Sequence, residues 1–291
     1  MRVLNLTGKG RNIGHGPNSP SYLEDETVVS LIEQAQADGY GGVRWNWAFD
    51  SMCPEPGVID VSRLIFIVRE IAARGMFAWA VHGSGPYPNQ PKWRRMAADQ
   101  SWHPCLTPLA LHRRVIELIN QALYEVWVAL VRMGVDPRLA FALGCGNEHG
   151  DGGNGDPTRW DYTKPKNGTG KLSTVMALWL EELALSVNTL GMPMVSPGME
   201  LQAASAHAEI ADLCGYRWMR RFDAIDVHCY DDIAGSARDK LASVLSLLAI
   251  RDDYIAGRPV WVGETGGNGD PRMELNALLS LGVERAGWLS P

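Results

Sequence analysis

The sequence predicts an α/β protein, a (β/α)8 TIM barrel filling a single domain over residues 1–291. Three observations carry this. Eight short apolar runs are separated by helix-like segments. The runs are apolar throughout and do not alternate, as expected of a parallel sheet covered on its outer face. The length of 291 residues is also near that of a closed eightfold barrel.

The first run spans residues 3–6. A helix follows over 25–38, with Val28, Val29, Leu31, Ile32 and Ala35 on one side. Strand 2 is expected at 42–47, a helix at 60–74 and strand 3 at 76–82. A long helical stretch over 107–133 leads to strand 4 at 140–146. A helix over 172–190 precedes the short fifth strand at 192–196, and one over 203–219 the sixth at 224–229. Helix 236–255, strand 7 at 259–263, helix 271–281 and strand 8 at 283–288 complete the pattern. No eighth helix follows, because three residues remain after Trp288. That flank would be bare unless a further domain or a partner chain covers it.

The glycines after strand 1, Gly8, Gly10 and Gly14, lack G-x-G-x-x-G spacing, and there is no Walker lysine pattern, so a nucleotide fold is disfavoured. The loops over 48–57, 83–104 and 149–170 are long and rich in Pro, Gly and Trp. In a barrel these loops share the C-terminal rim, where active sites are built. The run GGNGDP occurs at 152–157 and again at 266–271. Both copies read as rim turns with the same chemistry, Asp as helix cap and Pro in the first helical position. The second copy is the firmer case, with Asp270 capping a helix that begins at Pro271.

Composition excludes several classes. With 27 basic and 33 acidic residues and a net charge of −6, nucleic acid is not the expected partner. No run of about 18 apolar residues indicates a membrane span. The first ten residues, MRVLNLTGKG, read as a strand entering a Gly-rich loop and not as a secretory leader. Export remains open if a leader or larger polypeptide is missing. The five cysteines show no metal-ligand spacing and no disulfide framework, and Cys145 and Cys229 read as buried thiols. Asp151, Asn154 and Asp156 lack the spacing of a calcium loop, so neither a metal nor any other cofactor is expected.

Glu148 ends strand 4 and Glu264 ends strand 7, and these strand ends face each other across a barrel mouth. Two opposed carboxylates are what glycoside hydrolysis requires. Other residues with chemistry also stand at strand ends: Arg44 on strand 2, His82 on strand 3, Asn147 before Glu148, His228 and Tyr230 on strand 6, and Trp288 on strand 8. Taken singly, His82 and His228 could be core histidines, Arg44 a salt-bridge partner and Trp288 plain core.

As an ordered set, these residues resemble the clan A retaining glycoside hydrolases, and most of all glycoside hydrolase family 5. The resemblance runs from Arg44 to Trp288, with His149 standing where many relatives have Pro. It implies that Glu148 is the general acid/base and Glu264 the nucleophile of a two-glutamate double displacement on a β-linked oligo- or polysaccharide. It further implies that Asn147 meets the sugar 2-hydroxyl, that His82 binds another hydroxyl and that Trp288 forms the floor beneath the ring. Arg44 and Tyr230 are the residue types that would keep a nucleophile ionised, and His228 is expected near the acid. Trp47 and Trp93, with Trp45, Trp102 and Trp160, are candidates for stacking on further sugar rings. Trp127 and Trp179 fit core positions. The alternative is a carbohydrate-binding barrel of a larger protein that has lost turnover.

Overall fold

The computed structural model describes residues 1–7, 12–16, 19, 21–47, 59–82, 108–146, 174–200, 220–230, 241–242, 244–245, 248, 257–266 and 270–289. Eight parallel strands form a nearly closed barrel. They are β1 (Arg2–Asn5), β2 (Gly42–Trp47), β3 (Phe77–His82), β4 (Phe141–Gly144), β5 in two pieces (Met194–Val195 and Met199–Glu200), β6 (Ile225–Tyr230), β7 (Val260–Gly266) and β8 (Arg285–Leu289). Starting from the first piece of β5, the order runs β4, β3, β2, β1, β8, β7, β6 and back to the second piece of β5. A parallel bridge between Val195 and Ala224 draws the two sides together. The longer helices are α1 (Asp25–Ala37), α2 (Ser62–Ala73), α3 (Pro108–Arg132), α4 (Thr174–Ser186) and α5 (Pro271–Ser280), and a four-residue helix, Pro137–Ala140, leads into β4. Leu241, Ala242, Val244, Leu245 and Leu248 are helical too, within the expected 236–255 segment. The helix expected at 203–219 lies outside the described residues.

Two cores follow from the period-two geometry of strands. The larger joins the outward faces of the strands (Val43, Trp45, Val227 and Val262 among them) to helix residues such as Ile32, Ile67 and Leu123. The smaller contains no helix residue and fills the barrel lumen with Val3, Phe77, Trp79, Val81, Ala142 and Trp261, among others. Trp79 and Trp261 meet edge to face, with ring centroids 5.0 Å apart.

β5 is interrupted at Pro197 and Gly198. A Cβ on residue 198 would lie 2.2 Å from His228 Nε2, so only glycine lets that ring rest against the backbone. In the second GGNGDP copy, Asp270 caps α5 by accepting the Arg272 N–H at 2.8 Å, with Pro271 in the first turn. Asp270→Ala is expected to cost about 1 kcal/mol of stability, measured by urea unfolding. An unchanged midpoint would show the cap to be energetically idle. The first copy, at 152–157, lies outside the described residues.

Candidate active site

Strand parity decides which side chains face the lumen. On β2, Val43, Trp45 and Trp47 join the outer core, so Arg44 points inward. On β6, Ile225, Val227 and Cys229 face outward, leaving Asp226, His228 and Tyr230 on the lumen face. On β7, Val260 and Val262 face outward while Trp261 lies in the lumen core. Unbroken alternation would therefore turn Glu264 out towards the helices. It is turned in by a bulge. Val227 pairs with Val262 but His228 pairs with Glu264, so Gly263 is an extra residue. The same shift appears against β8, between Val262 and Thr265. Such bulges re-aim side chains beside active sites.

Glu264 is 5% exposed and surrounded by donors. Arg44 Nη1 donates to its Oε1 at 2.6 Å, and the Tyr230 hydroxyl donates to Oε2. His228 Nδ1 stands 3.7 Å from Oε2. Arg44 has only donors, so its Nη2 donates to His228 Nε2, 3.2 Å away. Nδ1, the nitrogen facing Glu264, therefore carries a proton. Arg44 itself is fully buried, with its guanidinium 5.2 Å over the Trp79 ring.

These contacts set the ionisation of the carboxyl. Burial alone would push the pKa of Glu264 up. The His228 ring, the Arg44 charge and the hydrogen bonds from Tyr230 and Arg44 together outweigh it, holding the pKa at about 2. Arg44 is held above its ordinary value: burial would lower it, but Glu264 and Asp226 raise it more. The folded pKa of Glu264 lies below the ordinary 4.5, so its ionisation stabilises the fold above that pH. The contribution is lost as the pH falls from about 4.5 towards 2. The melting temperature of the wild type should thus fall more steeply across this window than that of Glu264→Gln. Parallel curves would contradict the assignment.

Arg44, His228, Tyr230 and Glu264 are brought together. His228, expected beside the acid, lies against Glu264 and Arg44. His82 is 1% exposed and meets the edge of Trp47, with ring centroids 5.7 Å apart. Trp45 and Trp47, read as rim residues, belong to β2 and are buried under the rim, at 0% and 1% exposure. Trp288 is likewise buried in the larger core. Trp127 packs against that core, as expected. Cys145 and Cys229 are both buried. Glu148, Asn147, Trp93, Trp102 and Trp160 lie outside the described residues, as does the side chain of Trp179.

Sequence reasoning missed Asp226, which is fully buried and directly beneath the cluster. Its Oδ2 is 3.6 Å from both Arg44 Nη2 and His228 Nε2. Reading every second residue of IDVHCY would have placed it on the same face as His228 and Tyr230. Among the described residues, no group of three or more His, Cys, Asp or Glu could hold a metal ion. No described helix is long and apolar enough to cross a membrane.

No family model and no curated protein matches the chain. Solved structures do. The GH5_18 protein from Streptomyces cattleya, in complex with GlcNAc, superposes with a TM-score of 0.65 at 13% identity, over 99% of this chain and 70% of that one. The GH5_18 protein from Bifidobacterium longum subsp. longum gives 0.64 at 15% identity, over 99% and 69%. The endo-β-1,4-mannanase from Thermotoga petrophila gives 0.62 at 15% identity, over 98% and 66%. The chain has the fold of these GH5 barrels. This likeness of fold agrees with the GH5 resemblance of the ordered strand-end residues, at identities that carry the architecture alone. In such a barrel the C-terminal ends of β2, β6 and β7 meet at one mouth, and Arg44, His228, Tyr230 and Glu264 stand there.

Proposed function

We propose that this chain is a retaining glycoside hydrolase acting on β-linked carbohydrate. One observation carries the reading: a buried glutamate at the mouth end of β7, kept ionised by Arg44, Tyr230 and His228. A carboxylate so compensated suits attack on an anomeric carbon and does not suit proton donation. Glu264 is therefore the nucleophile. Glu148, on the opposite side of the mouth in the GH5 pattern, is the acid/base. It protonates the leaving oxygen while Glu264 forms a glycosyl ester, then takes a proton from the water that hydrolyses that ester with retention. Asn147 at the sugar 2-hydroxyl, with His82, Trp288 and Trp93, completes the proposed sugar-binding set; Trp47, buried on the helix side of β2, is left out of it.

The solved relatives direct the choice of sugar. One GH5_18 structure holds Manβ1-4GlcNAc, and others with this fold are an exo-β-1,4-mannosidase and endo-β-1,4-mannanases. β-Mannosides are accordingly the first substrates to try. The test compares aryl β-mannosides, β-glucosides and β-xylosides, together with mannan and Manβ1-4GlcNAc. Release from at least one β-linked substrate, absent in Glu264→Ala, supports the reading. Binding without release from any of them would favour a carbohydrate-binding module.

A further inference from the structure

We propose that Asp226 is the positioning residue of this site: its buried carboxylate holds the β7 bulge that turns Glu264 into the barrel and, with the same group, holds Arg44 against Glu264. This rests on the reading of Glu264 as the reacting carboxylate.

The bulge is what makes Glu264 available, because unbroken alternation on β7 would aim it at the helices. Its extra residue, Gly263, is tied down by side chains. The Gly263 N–H is taken by Asp226 Oδ1 at 2.8 Å, and its carbonyl accepts from Asn5 Nδ2 at 3.4 Å. A Cβ on residue 263 would fall 2.3 Å from Asp226 Oδ1, so the carboxylate rests directly on the bulged backbone. The Asp226 backbone is itself fastened to β5, its N–H donating to Ser196 Oγ at 2.9 Å.

The second oxygen acts on the cation. Asp226 Oδ2 lies 3.6 Å from Arg44 Nη2, while Arg44 Nη1 bonds Glu264 at 2.6 Å. The guanidinium is gripped at both ends by carboxylates in a place water does not reach, so neither end can swing away. Oδ2 also lies 3.6 Å from His228 Nε2, on the ring whose other nitrogen faces Glu264. Among the described residues, the charged and titratable groups facing this cluster are thus Arg44 from β2, His228 and Tyr230 from β6, and Glu264 from β7. One side chain sets both the direction of Glu264 and the position of its counter-charge.

The test follows the Glu264 carboxyl by NMR in protein labelled at the glutamate side-chain carbon, from about pH 3 to 8, with Glu264→Gln identifying its signal. In the wild type the carboxyl should stay ionised throughout. In Asp226→Ala the loss of a neighbouring negative charge would by itself lower the Glu264 pKa, but release of Arg44 and of the bulge outweighs it, and the carboxyl should titrate about one pH unit higher or more. Asp226→Asn keeps an acceptor for the Gly263 N–H and should lie nearer the wild type. In parallel, kcat should fall on the order of 10²-fold in Asp226→Ala, with KM within about threefold, and recover substantially in Asp226→Asn. A folded Asp226→Ala protein whose Glu264 titrates as in the wild type overturns the proposal. If that variant does not fold, Asp226→Ser takes its place. Failure of both to fold would make Asp226 a folding residue only, and also overturns it. The NMR result does not depend on turnover. A wild type inactive on every glycoside, with the expected NMR shifts, would therefore defeat the functional reading and leave the positioning role standing.

Discussion

Glu264→Ala is expected to lower turnover of every substrate by about 10⁴-fold or more, because it removes the proposed nucleophile. The loss should not depend on the leaving group, since attack itself is missing. The vacated space lies beside Arg44 and Tyr230, whose donors remain, so a small anion can enter it. Azide should restore part of the activity on an activated β-glycoside and yield the α-glycosyl azide, the product of a single inversion. Recovery of a β-azide instead would place the nucleophile elsewhere.

The second large effect distinguishes the partner carboxylate. Glu148→Ala should slow cleavage of unactivated glycosides by about 10²–10⁴-fold, the range typical of general acid catalysis. Substrates whose leaving groups need little protonation should still glycosylate Glu264 rapidly. The intermediate then accumulates, because the base that activates water is gone, and a burst of product precedes a slow steady state. Azide should here give the β-glycosyl azide, with the configuration retained. Equal losses across all leaving groups would show that Glu148 is not the acid.

The architecture was largely legible in the sequence because parallel barrel strands are covered on both faces and so read as continuous apolar runs. Seven of the expected strands are matched to within a few residues, and α1 to α5 all lie within the segments predicted for them. The fifth strand was seen only as far as Ser196. Its second piece, Met199–Glu200, follows a Pro-Gly interruption that ends any periodic signal. The bulge on β7 left no trace either: VWVGETG reads as one strand, and an extra residue shows only when its neighbours on β6 and β8 are paired with it. Without the bulge, Glu264 could be assigned to the mouth only through the family pattern, since alternation from Val262 points it the wrong way. The tryptophans of VRWNW misled for the opposite reason. Their number near a rim loop suggested sugar platforms, whereas alternation around the inward Arg44 already required Trp45 and Trp47 to face the helices. Asp226 was hidden by its position before a more conspicuous His-x-Tyr, although it shares their face.

The central claim is that Glu264 forms a covalent bond to the sugar. Incubation with a 2-deoxy-2-fluoro-β-mannosyl fluoride, or its counterpart for whichever sugar is turned over, tests it most directly. The fluorine slows both steps but hydrolysis of the ester most, so the intermediate persists long enough for peptide mass spectrometry. The account predicts one sugar per chain, attached to Glu264, with activity returning as the ester turns over. A label on another residue, or an enzyme that cleaves the parent glycoside to the inverted anomer and takes up no label, would contradict it.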